Sequence, residues 1–261
     1  MRQKLNALWW TTYHKVEQER RHDVSTMRDA LLVGLMVCIS LLGTEYFGRV
    51  YYFEQLLSHL GSTSIQQAMS PNQLKLLNLS WWAGILFLFY VLLPAILIKG
   101  ILKKSFSEIG LSWRFTRQEG RLFFLILFMV IPVVFVASYS TSFQQRYPFF
   151  TIQHASEIDR YFLLWEILYA FQFFAVEFFF RGFFLHGMKK AMGMLSILVM
   201  TIPYCMIHFC KPMPEAFGAI LAGLLLGMLS LKFNSIGLGV GIHITVAYTM
   251  DFASLWQKGI L

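Results

Sequence analysis

The sequence predicts an all-α, polytopic membrane bundle of about seven transmembrane helices. Three observations carry this expectation. Of 261 residues, 57% are hydrophobic, 17% aromatic and only 14% charged, against roughly 45–50% apolar and about 25% charged in soluble domains. The mean hydropathy is +0.57. The apolar residues also fall into runs near the roughly 20 residues that a helix needs to cross about 30 Å of hydrocarbon. With 26 Phe and 7 Trp, the chain carries too much apolar surface for a disordered segment.

Residues 1–29 form a basic segment with Arg2, Lys4, Lys15, Arg20 and Arg21. Within it Leu5, Leu8, Trp9, Thr12 and Val16 recur at about helical spacing. That pattern suits an amphipathic helix on an anionic leaflet, and a solvated tail equally well. No A-x-A-like site follows the first apolar run, so a cleaved signal peptide is not expected. Residues 30–160 hold accessory spans at 30–48, 77–98 and 122–142, the last two without an ionisable residue. Between them Ser105-Phe-Ser-Glu108 is a capping-box pattern, predicting a short interfacial helix that ends at Gly110. Residues 161–256 hold four more runs, at 161–186, 194–210, 215–232 and 235–256, interrupted by Pro203, Pro212 and Pro214.

Lys and Arg in short connections favour the cytoplasm. The N-terminal segment, the 99–121 connection (Lys99, Lys103, Lys104, Arg114, Arg117, Arg121) and the 187–191 turn (Lys189, Lys190) are basic, while the alternate connections are not. A cytoplasmic N-terminus and, with seven spans, an external C-terminus follow. The formal charge of +8 is therefore read as contact with anionic lipid, not nucleic acid. Cys38, Cys205 and Cys210 lie in apolar runs and report no oxidising compartment. Short loops favour a prokaryotic inner (plasma) membrane.

Ionisable residues in a membrane helix cost a few kcal/mol each on insertion scales, so they are paired, buried or functional. Glu166, Glu177, Arg181, His208, His243 and Asp251 all lie within or at the edge of the last four runs. Glu177 and Arg181 are four apart on one helix face, with the acid first, as an ion pair prefers. Glu166 lies three turns earlier on nearly the same face. The glycines at 223 and 227, and at 237, 239 and 241, permit close helix approach. A carboxylate and two histidines on neighbouring spans suffice for hydrolysis, with the carboxylate taking a proton from water and the imidazoles positioning it or stabilising an oxyanion. The same trio, or Cys205, His208 and Cys210, is the alternative as a divalent metal site. No H-E-x-x-H is present, and the only nearby G-x-S, Gly110 to Ser112, lies in a loop, which argues against a zinc or serine intramembrane protease.

These residues resemble the CPBP or Abi family of intramembrane peptidases, which includes the CAAX endoprotease. The E-E-x-x-x-R motif is matched by Val176-Glu177-Phe-Phe-Phe-Arg181, the aromatic-x-x-x-His motif by Tyr204 to His208, and the last-helix histidine by His243. The resemblance spans about residues 161–256, with a weaker echo at 106–111. It implies an all-helical, CAAX-endoprotease-like core that hydrolyses a peptide bond of a membrane-associated peptide or protein by a glutamate-activated water, with no cofactor. It implies catalytic roles for Glu177, Arg181, His208 and His243. Two positions depart from the pattern: Val176 replaces the first glutamate, and Ala247 stands where a polar residue often ends the third motif. Three readings follow. Glu177 is the base, or Glu166 or Asp251 substitutes from a neighbouring turn as a supporting residue, or the chain is a silent homologue acting in membrane binding, immunity or a chaperone-like role. Oligomeric state is not encoded legibly.

Overall fold

A computed structural model describes residues 2–59, 68–112 and 115–261, with side chains from residue 9 onward. The side chains of Leu5, Leu8 and Arg114 lie outside the described residues. All regular structure among the described residues is helical: α1 (Arg2–Gln18), α2 (Val24–Phe47), α3 (Val50–His59), α4 (Pro71–Ile101), α5 (Arg117–Ala137), α6 (Thr141–Arg146), α7 (Arg160–Met192), α8 (Leu195–Met206), α9 (Met213–Phe233) and α10 (Gly237–Gln257). Among them α2, α4, α5, α7, α9 and α10 are long and apolar enough to cross a membrane. This is a polytopic membrane protein.

The fifth expected span is shorter than its apolar run. α8 has 12 residues, a length of only about 18 Å at 1.5 Å per residue. Hydropathy extends the run to residue 210, but the backbone leaves the helix at Ile207.

The helices divide into two compact units interleaved along the chain: residues 1–38, 94–123 and 176–241 form the first, and 39–93, 124–175 and 242–261 the second. In the first unit, α8 and α9 pack at small residues. A Cβ on Gly223 would sit 2.7 Å from Thr201 Cγ2, and one on Gly227 would sit 3.1 Å from Ile197 and Met200. The glycines expected to allow close approach do so here. α1 is a docked helix and not a free tail: Thr12 and Val16, one turn apart, are buried, while Trp9 and Trp10 face outward.

One end of this unit collects the basic connections. The Arg21 amide donates to the Lys190 carbonyl at 2.8 Å, Lys189 pairs with Glu19 at 3.3 Å, and Lys104 pairs with Asp29 at 2.8 Å. Glu17 accepts from the Met194 amide at 3.0 Å. The carboxylate of Glu17 occupies the space a Cβ at residue 193 would need, and Gly193 takes φ +57°, so glycine suits the site twice over. The expected capping box forms as a single 3₁₀ turn over Phe106–Ile109, ended by Gly110 at φ +77°. Asn234 ends α9 in the left-handed region and donates to the Ser107 carbonyl at 2.9 Å, while the Ile236 amide reaches the Gly110 carbonyl at 2.9 Å. α8 therefore starts, and α9 finishes, at the end of the unit that carries the lysines. The two form an antiparallel hairpin.

The second unit is built on stacked aromatics. Trp82 stacks on Phe149 at 5.3 Å between ring centroids, Phe149 on Trp165 at 5.7 Å, and Trp165 on Tyr169 at 5.4 Å. Contacts of this kind hold the 143–159 connection against α7. Polar groups pin its ends: Lys75 pairs with Glu157 at 3.1 Å, and Asn72 donates to Asp159 at 3.0 Å.

Candidate active site

α7 changes pitch where its ionisable residues lie. From Arg160 to Glu177 it is an α-helix, and from Phe178 to Leu185 it is a π-helix, a widened turn that often marks functional positions. Every residue from Phe178 to Leu185 is buried. Glu177 and Arg181 flank the start of this widening, and both have no exposed surface. Their ion pair, expected from the four-residue spacing, forms at 2.9 Å between Arg181 Nη1 and Glu177 Oε1.

Two further groups hold the guanidinium. Nη2 donates to the Ala222 carbonyl on α9 at 3.4 Å, and the guanidinium carbon lies 3.9 Å from the centre of the Tyr204 ring, a cation–π distance. A buried charge is tolerated only when paired and hydrogen-bonded, and Arg181 is engaged on three sides. Tyr204 also meets Phe180 edge-on at 5.3 Å, so its ring is fixed independently of the arginine.

Tyr204 passes this order on to His208. The two rings lie 4.8 Å apart, and His208 Nδ1 contacts the Tyr204 carbonyl at 2.8 Å. A carbonyl only accepts, so Nδ1 carries the hydrogen, and in the neutral ring the lone pair is on Nε2. The same bond explains why α8 stops. In a continuing helix the Tyr204 carbonyl would take the amide of residue 208; here that amide turns to Cys205 at 3.0 Å and the imidazole takes its place. The histidine thus caps the C-terminus of the helix that carries it.

Gly239 has a more specific role than helix packing. A Cβ there would collide with Glu177 Oε2, so the bare backbone of α10 leaves the room the carboxylate occupies. The sequence pattern of alternate glycines could not separate this one from its neighbours. Tyr204 was visible only as the aromatic of a motif, and the Ala222 carbonyl gave no signal in the sequence.

The second unit holds the other candidates. His243 stacks on Phe173 at 5.5 Å between ring centroids and is half-buried. Asp251 is buried and accepts from the Phe149 amide at 3.2 Å. Its carboxyl lies within hydrogen-bonding reach of Glu166, while Tyr248 donates to the Glu166 main-chain carbonyl at 2.7 Å. Glu166 therefore has its own partner in Asp251. Ala247, the second departure from the motif pattern, is buried among Phe150, Trp165 and Tyr169, a setting that a polar side chain would enter at a desolvation cost.

Among the described residues, no three His, Cys, Asp or Glu side chains gather in a metal-holding cluster. Within Cys205-x-x-His208-x-Cys210, Cys210 is exposed, Cys205 is half-exposed, and the His208 ring is turned onto Tyr204. The spacing alone does not make these three donors converge.

Comparison with known proteins bears on the stretch that carries these residues. Residues 159–249 match the family model of the type II CAAX prenyl endopeptidase Rce1-like proteins. This stretch is a CAAX-protease-type core. The match takes in α7, α8, α9 and most of α10, and with them Glu177, Arg181, Tyr204, His208 and His243. At the level of the family, the fold is that of an intramembrane peptidase. No curated protein and no solved structure gives a significant match.

Proposed function

We propose that this chain is an intramembrane endopeptidase that hydrolyses a peptide bond of a membrane-associated peptide or protein. The observation that carries this reading is the continuous linkage Glu177–Arg181–Tyr204–His208 inside a stretch matching a peptidase family. Glu177 serves as general base for the attacking water. Arg181 compensates its charge and fixes its orientation, and is a positioning residue. His208, with its Nε2 lone pair, binds the water and the developing oxyanion, and His243 is carried over as a catalytic histidine from its position in the motif. Proton transfer from water to Glu177 forms the hydroxide that adds to the carbonyl carbon. The proton then passes to the leaving amine as the C–N bond breaks. Glu166, with Asp251 as its partner, is not the base in this reading.

In this reading the water needs only side chains. Activity is expected to persist in excess chelator, and loss restored by a divalent cation would overturn this part. The chain is placed in a prokaryotic inner membrane with its basic end cytoplasmic. Labelling of single cysteines at Lys104 and Lys189 in intact cells checks this, both being expected to resist a membrane-impermeant thiol reagent.

A second reading is favoured by Val176. It is buried and apolar where the family pattern has its first glutamate, which suits a silent homologue that binds without cutting. The readings separate on three variants. A peptidase based on Glu177 loses cleavage in Glu177→Gln, His208→Ala and His243→Ala at unchanged abundance. Cleavage that appears only in Val176→Glu favours the silent homologue.

A further inference from the structure

The lysine-rich end of the first unit surrounds a cavity of about 580 Å³ that the peptidase reading does not use. This volume lies within the range of small-molecule sites. Its floor is apolar, formed by Val33, Ile98, Leu102 and Phe183, and its rim is cationic, with Lys15, Arg21, Lys104, Lys189 and Lys190 against Glu19 and Glu108. The two carboxylates neutralise the five cations of the rim only in part. Glu19 is committed to Lys189. Glu108 takes the Ser105 amide and hydroxyl at 2.6 and 2.8 Å, and Lys104 is committed to Asp29 outside the cavity. Lys15, Arg21 and Lys190 form no ion pair among the described residues.

The floor carries one further polar group. His186 is buried and lines the cavity. Its Nε2 contacts Ser230 Oγ at 3.1 Å, while Nδ1 has no hydrogen-bond partner in the protein. Cations lining one concave surface raise its positive potential and attract an anion, and an orphaned buried ring nitrogen calls for a ligand atom.

We propose that this cavity binds a phosphate group, and that an apolar floor beneath a cationic rim at the ends of membrane spans selects the headgroup of an anionic phospholipid. Arg21 offers a planar fork to phosphate oxygens, Lys15 and Lys190 supply point charges, and the floor accepts the glycerol and first methylenes. The site is independent of proteolysis, because none of these groups takes part in the Glu177 linkage.

The test uses the purified full-length protein in detergent, supplied with phosphatidylglycerol, phosphatidylcholine, or inorganic phosphate at matched ionic strength. Lipid retention is read by native mass spectrometry, and stability by thermal unfolding. Phosphatidylglycerol is expected to be retained and to raise the Tm, and phosphatidylcholine to do neither. Arg21→Ala/Lys190→Ala should weaken phosphatidylglycerol retention tenfold or more, Arg21→Lys/Lys190→Arg should restore most of it, and Arg49→Ala should change nothing. If the double alanine variant melts below wild type in phosphatidylcholine, Lys15→Ala replaces it, with a loss of at least threefold expected. Stabilisation by inorganic phosphate with no preference for phosphatidylglycerol would assign a soluble phosphate and overturn the headgroup. Equal retention of both lipids, or retention undiminished by the substitutions, would overturn the site.

Discussion

At Arg181 a single guanidinium meets an acid at 2.9 Å, a carbonyl at 3.4 Å and an aromatic face at 3.9 Å. Removing it leaves the Glu177 carboxylate buried without a counter-charge, a loss of about 3–5 kcal/mol in buried pairs. Arg181→Ala is expected to lower stability by that order in a denaturant titration of the detergent-solubilised protein. Arg181→Lys keeps the charge but loses the planar contacts to Tyr204 and Ala222, and should cost less. Tyr204→Phe keeps the ring against Arg181 and His208 but loses the hydroxyl's hydrogen bond to Arg181, so it should cost about 1–3 kcal/mol and retain part of the cleavage, whereas Tyr204→Ala should lose both stability and cleavage. The ion pair was legible from a four-residue spacing. The tyrosine was not legible as a support, because the contact it makes is to a guanidinium on another helix.

At the scale of the element, glycines with similar sequence settings have opposite expected effects. Gly239→Ala brings a methyl group into Glu177 Oε2, and overpacking of this kind typically costs about 1–3 kcal/mol; cleavage should fall with it. Gly84 on α4 has nothing within 4 Å of a Cβ, and Gly84→Ala should be neutral or stabilising by up to about 1 kcal/mol. Thermal unfolding of the two variants side by side checks this contrast. The 3₁₀ turn at Phe106–Ile109 gives a pH prediction. Hydrogen bonds from the Ser105 amide and hydroxyl hold the Glu108 carboxyl below the usual carboxylate range. A depressed folded-state value means a contribution that is present above the unfolded value, near 4.5, and is lost as pH falls through the folded one. Wild type should therefore lose more stability than Glu108→Gln when the pH is lowered from 6 to below about 4, with ordinary Glu titrating near 4.3. Equal losses would show that the cap contributes nothing through its charge.

Across the whole molecule, the long spans were legible because each of α2, α4, α5, α7, α9 and α10 is a sustained apolar run long enough to cross a membrane. α8 was not, because its end is set by a hydrogen bond from the His208 ring, which a count of apolar residues does not see. The basic connections read from the sequence do meet at one end of the first unit, through Lys104, Lys189 and the Arg21–Lys190 contact. The division into two interleaved units was not legible, since each draws on three separate stretches of chain. Glu166 and Glu177 looked like one acidic stripe by helical periodicity, yet each has its own partner, Asp251 for one and Arg181 for the other.

The central claim, that Glu177 is the base of a peptidase, is tested most directly by mapping new N-termini in membranes from cells expressing wild type or Glu177→Gln at equal abundance. The expected result is a discrete set of cleavage sites in membrane-associated proteins that is present with wild type and absent with Glu177→Gln. The same sites at undiminished level in the Glu177→Gln membranes, or none in wild type, would contradict it.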